Sequence, residues 1–122
     1  MYGIAIGLSA NVSNAEEWAE GTVAIGESTT ATGTDSVAVG KNAEAKGSSS
    51  VALGYDAYVD GNGSVQLGQG VNQNDDTLQF QDKVVIDEDG YLPAERLGGI
   101  TTAVLSGTYD DDTTFSFEVY TK

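Results

Sequence analysis

The pentapeptide TVAIG at 22–26 returns as SVAVG at 36–40, SVALG at 50–54 and SVQLG at 64–68, with a spacing of fourteen residues each time. The segments between the copies keep the same phase, since TATG, EAKG and YVDG place Gly33, Gly47 and Gly61 at equivalent points. An earlier copy, GIAIG at 3–7, stands nineteen residues upstream of TVAIG and so carries a five-residue insertion. Self-similarity this regular means stacked units, none of which can bury its own face alone.

Within each pentapeptide large and small residues alternate, as Val37 and Val39 do with Ser36, Ala38 and Gly40. A period of two with β-branched residues at the large positions predicts strands. The linking NAEAKG alternates as well, with Ala43, Ala45 and Gly47 on one side and Asn42, Glu44 and Lys46 on the other, and predicts a second, thinner strand. Two short strands and two tight turns per repeat, stacked about 4.8 Å apart in parallel ladders, make a β-solenoid of very small cross-section. Its expected core is the column of large residues: Val23, Ile25, Val37, Val39, Val51, Leu53, Val65 and Leu67. The small column of Ala24, Ala38 and Ala52, continued by Gln66, is then the expected contact face for another chain.

The phrase SVAVGKNAEAKGSSSVALG closely resembles the head repeats of trimeric autotransporter adhesins, over about residues 3–70. The resemblance implies a left-handed parallel β-roll, three of which associate side by side, and similar rolls occur in bacteriophage fibres. It also implies that Gln66, standing where earlier copies have alanine, would put three glutamines together at the trimer axis.

Outside the repeat the sequence predicts less regular elements. Residues 8–21 suit a short helical insertion, with Ser13 and Glu16 or Asn14 and Glu17 as a capping box and Gly21 as its stop. The period is expected to end after Gly70, which divides the chain into a roll over 1–72 and a junction with a small C-terminal β-module over 73–122. In that module 77–86 predicts two short strands around Gln81 and Asp82. Residues 91–99 predict a short helical segment starting near Pro93, and the tail predicts a hairpin around Asp110–Asp112. The fold expected overall is all-β.

Composition excludes several functions. The 122 residues include 5 basic and 19 acidic ones, a net charge of −14 that repels phosphate backbones and anionic membranes. With neither cysteine nor histidine there is no thiol chemistry and no usual general base. No catalytic constellation, cofactor site or metal site is expected. The turns DEDG at 87–90 and DGNGS at 60–64 both lack the later glutamate of a calcium loop. No stretch approaches a membrane helix. The expected function is a non-enzymatic structural and binding component of a phage particle, a trimeric fibre, spike or decorating protein. That expectation rests on an opening without a basic leader, no stalk heptads and an ending in a small β-module. The alternative is the head of a bacterial adhesin on the cell surface. Expected partners are the chain itself, another virion protein and a host-surface receptor, for which Trp18, Tyr55 and Tyr58 are the candidate contacts.

Overall fold

The computed structural model describes residues 2–13 and 21–93, together with the backbone of 102–108 and 114–120. Among the described residues fourteen strands run in chain order: β1 (Gly3–Ile6), β2 (Asn11–Val12), β3 (Thr22–Ile25), β4 (Thr30–Ala31), β5 (Val37–Val39), β6 (Glu44–Ala45), β7 (Val51–Leu53), β8 (Ala57–Val59), β9 (Val65–Leu67), β10 (Gly70–Asn72), β11 (Leu78–Phe80), β12 (Lys83–Ile86), β13 (Thr102–Thr108) and β14 (Thr114–Tyr120). The fold is all-β, with no helix among the described residues.

The pentapeptides form one wall of the coil, a seven-stranded sheet in the order β1-β3-β5-β7-β9-β11-β12. The thinner strands form the opposite wall in the order β10-β8-β6-β4-β2. Every repeat strand pairs in parallel with its own copy, so Val37, Ala38 and Val39 lie between Val23, Ala24, Ile25 and Val51, Ala52, Leu53. Bonds such as Val37 N–H to the Ser50 carbonyl (2.9 Å) and Gly54 N–H to the Val39 carbonyl (2.8 Å) bind coil to coil. Each turn holds residues at left-handed φ, where short polar side chains are tolerated: Ser28, Asn42 and Asp56 in one column, Asp35, Ser49 and Asp76 in the other. Gly40, at φ 130°, supplies a conformation closed to other residues. Gly47 serves close approach instead, since a Cβ there would strike the Gly61 carbonyl of the next coil.

The interior is the reverse of the expected one. Ala24, Ala38, Ala52 and Gln66 are fully buried inside the roll and face no neighbour. Val23, Ile25, Val37, Val39, Val51, Val65 and Leu67 are only half-buried and point outward, and Leu53 is exposed. The reason is the width of the coil. Strands of two to four residues joined by tight turns hold the two walls too close for large side chains. The core is therefore Ala24, Ala38 and Ala52 against Ala31, Ala43, Ala45, Ala57 and Val59. A column of hydroxyls, Ser36, Ser50 and Ser64, fills the corner, and the Ser50 hydroxyl donates to the Gly47 carbonyl at 2.6 Å.

The stack also continues past residue 72. β10 pairs with β8 and β11 with β9 at an offset of thirteen, Gly70 opposite Ala57 and Leu78 opposite Val65. One residue fewer between Gly68 and Gly70 shortens the period without ending it. β12 then turns back antiparallel on β11 and closes that sheet, as the two strands expected over 77–86. In these last coils the interior becomes polar. The Gln66 amide donates to the carbonyls of Gln81 (2.8 Å) and Gly68 (3.1 Å), Thr77 donates its hydroxyl to Asn72 (2.9 Å), and Gln79 donates to Val71 (2.9 Å).

Elsewhere the expectations meet the structure in part. Within 8–21, where a helical turn is expected, Asn11–Val12 is a strand paired with β4; the insertion follows it, and residues 14–20, with Trp18, lie outside the described residues. Residues 91–93 are not helical, and the remainder of the segment expected to be a helix lies outside the described residues, as does the turn at 110–112. β13 and β14 form the expected tail hairpin, Thr102 opposite Tyr120 and Thr108 opposite Thr114.

Two outcomes follow from the inverted interior. Ala38→Asp buries an unpaired carboxylate and costs at least about 4 kcal/mol, enough to abolish the strand signal in circular dichroism. Val37→Asp points outward and keeps that signal in the cold; equal loss in both variants would contradict the assignment of faces. Gln66→Ala removes the amide that donates to two part-buried carbonyls and lowers stability by about 1–2 kcal/mol, read as a lower melting temperature. A higher one would mean that the unpartnered Gln66 Oε1 is the larger cost.

Candidate functional site

Because the interior takes the small residues, the large ones of every pentapeptide gather on the outside of one wall. The register places them in two columns. One runs Ile4, Val23, Val37, Val51, Val65, Leu78 and the other Ile6, Ile25, Val39, Leu53, Leu67, Phe80. Six rungs about 4.8 Å apart make an apolar stripe roughly 24 Å long. Exposure rises at its ends, to 54% for Ile4 and 52% for Phe80. The stripe carries no charged side chain along its two columns. A contiguous apolar face of this kind on a chain of net charge −14 marks an interaction surface.

The opposite wall presents polar residues. Lys46 bonds Glu44 at 2.8 Å, donates to the Tyr58 hydroxyl at 3.4 Å and lies 4.9 Å from the centre of the Tyr58 ring. The Glu44 hydrogen bond first, and Tyr58 second, hold the Lys46 ammonium above its ordinary pKa of 10.5. Tyr58 is thus tied down by its neighbour, while Tyr55 stands on a turn, 56% exposed. Tyr58 lies on the far wall from the apolar stripe, and Tyr55 on the turn between the walls.

The turns are tied from coil to coil. Asn42 donates to Asp56 at 2.9 Å, Asn62 accepts from the Ser48 N–H at 2.9 Å, Asp75 accepts from the Asn62 N–H at 2.7 Å, and Lys41 pairs with Glu27 at 3.1 Å. In DEDG the Asp87 carboxylate accepts the Asp89 and Tyr91 N–H groups, which organises the turn. Among the described residues no three acidic side chains converge as a metal would require, and no helix is long and apolar enough to cross a membrane.

Sequence reasoning found both columns and exchanged their roles. The signal that separates them lies in the second strand, whose inward residues Ala43 and Ala45 leave room only for small partners across the coil.

A model of the YadA head domain repeat matches the chain in two copies, at residues 19–43 and 45–70. No curated protein and no solved structure gives a significant match. Period, parallel register and family match agree over residues 19–70, where the coils are similar to the YadA head domain repeat and fit the head repeat of a trimeric autotransporter adhesin.

Proposed function

We propose that the chain is a non-enzymatic, adhesin-type structural module in which three copies pack their apolar stripes around a common axis. The observation that carries this reading is the pair of outward columns, from Ile4 and Ile6 to Leu78 and Phe80, in unbroken register. Homotrimers are the general state of proteins with this head repeat, and three stripes facing one axis would remove all of them from water. Val51 and Leu53 then belong to the shared core between chains, and Ala38 to the private core of each roll.

The assembly is a stiff rod whose turns face outward. Recognition of a host-surface receptor or of another particle protein falls to exposed turn residues such as Tyr55, and threefold copies of a weak contact add avidity. Head repeats of this family support display on a surface. A bacterial cell is the setting that the adhesin resemblance favours, and a phage particle is the setting that antibody labelling of purified particles against intact cells would separate from it.

The test is solution mass by light scattering. Val51→Asp places a carboxylate in the middle of the stripe and is expected to reduce the mass to one third of the wild-type value while the strand signal survives. A wild-type mass of one chain, or a mass unchanged by Val51→Asp, would overturn the assembly.

A further inference from the structure

The two ends of the seven-stranded sheet differ. At the C-terminal end, β12 closes the sheet antiparallel, carrying Lys83 and flanked by Asp82 and by Asp87, Glu88 and Asp89. Charges of this kind blunt an edge strand against further pairing. At the other end lies β1, within YGIAIGL at 2–8, and residues 2–13 contain no charged side chain. Every residue from Tyr2 to Ser9 is exposed, Tyr2 and Leu8 each at 76%. Ala5 is exposed as well, although its equivalents Ala24, Ala38 and Ala52 are fully buried. Among the described residues nothing covers this face of β1, and an apolar groove of about 440 Å³ lies beside it, lined by Tyr2, Gly3, Ile4, Gly21, Thr22 and Val23.

Among the described residues β1 pairs on one edge only, with β3. The Tyr2 and Ile6 carbonyls accept from Gly21 N–H (2.9 Å) and Gly26 N–H (2.8 Å), so the even-numbered residues face β3. The N–H and C=O groups of Gly3 and Ala5, and the N–H of Gly7, consequently face the open side. The Gly7 carbonyl is already engaged by Ala10 N–H at 3.2 Å.

The sequence here reads the same in both directions. Gly3-Ile4-Ala5-Ile6-Gly7 is a palindrome about Ala5, and the large apolar Tyr2 and Leu8 flank it. A twofold contact requires just such self-complementarity, because each residue i meets residue j while j meets i. We propose that β1 pairs antiparallel with β1 of a second copy across a twofold axis at Ala5, joining two rolls end to end.

In this register Ala5 faces Ala5 and exchanges both of its hydrogen bonds. Each Gly7 N–H points to the opposing Gly3 carbonyl. Ile4 of one copy meets Ile6 of the other on the outer side, which prolongs both apolar columns across the junction. Leu8 of the second copy arrives beside Tyr2, at the groove. Head-to-tail stacking is disfavoured, because the opposite end is closed by β12 and its charges. The contact is distinct from the threefold one, since it uses the strand edge where the trimer uses the outward side chains. It does not depend on the trimer.

A cysteine at the twofold tests the register directly, because the chain has none of its own. The Cα atoms of a directly opposed, hydrogen-bonded antiparallel pair lie about 5.5 Å apart, within the roughly 4.4–6.8 Å that a disulfide spans. Ala5→Cys, oxidised with diamide, is expected to give a reducible two-chain band, whereas Asp82→Cys at the other end gives none. Independently, Ala5→Pro removes the N–H on the open edge, at an edge strand where proline is tolerated, and is expected to halve the mass in solution with the strand signal retained. Absence of the Ala5→Cys dimer, equal linking by Asp82→Cys, a ladder of larger species, or an Ala5→Pro mass equal to wild type would each overturn the end-to-end pairing. A factor of two reports this contact and a factor of three the trimer, so the two failures are told apart.

Discussion

The distance between the two walls of the coil governs the rest of this structure. Turns of a few residues connect strands of two to four, so the walls cannot separate to the roughly 10 Å that sheets packed through large side chains require. Only alanine, serine, threonine and glycine fit between them through most of the roll, with Val59 the largest apolar side chain admitted. The same closeness makes Gly47 indispensable, because the turns stack backbone against backbone. It also expels every valine, isoleucine and leucine of the pentapeptides to the outside, which leaves two apolar columns on one wall of the solenoid.

This constraint explains what could be read from the residues and what could not. Period, strand positions and parallel register follow from fourteen-residue spacing and alternation, and the structure reproduces them through Leu53 and Leu67. Alternation reports two faces but does not say which one is inside. Hydrophobicity points to Val37 and Val51; volume points to Ala38 and Ala52, and in so narrow a coil volume decides. The continuation past Gly70 was hidden for a different reason. Backbone pairing of β11 with β9 needs neither the pentapeptide phrase nor the fourteenth residue, so the ladder outlasts the motif that announces it. Gln66, expected at an axis between chains, instead begins a polar interior in which amides occupy the space that alanines leave elsewhere.

Charge is placed with similar economy. Individual surface ion pairs such as Glu27–Lys41 are worth about 0–1 kcal/mol. The side chains that bond turn amides do more for register, since Asn62 and Asp75 accept the Ser48 and Asn62 N–H groups and so add to the backbone bonds between successive turns. Most polar turn residues are thereby committed to the stack. Among those that stand clear of it, Tyr55 is the most exposed aromatic on the repeat turns.

The choice of small residues inside has an energetic consequence. Burying a methyl group contributes only about 0.8 kcal/mol, whereas full burial of a valine or leucine contributes about 1.5–3 kcal/mol. The alanine interior therefore supplies little of the stability of a single roll, which rests mainly on its hydrogen-bond ladders. The larger reserve lies outside, in the two columns, and is realised only when another chain covers them. In the proposed trimer, folding and assembly would be linked through mass action, and the apparent stability of the roll would rise with its concentration. Alternation with a small inner face and a large outer one leaves a narrow coil with apolar surface that a neighbour could cover. In a wider coil the same residues would have turned inward and made each chain self-sufficient.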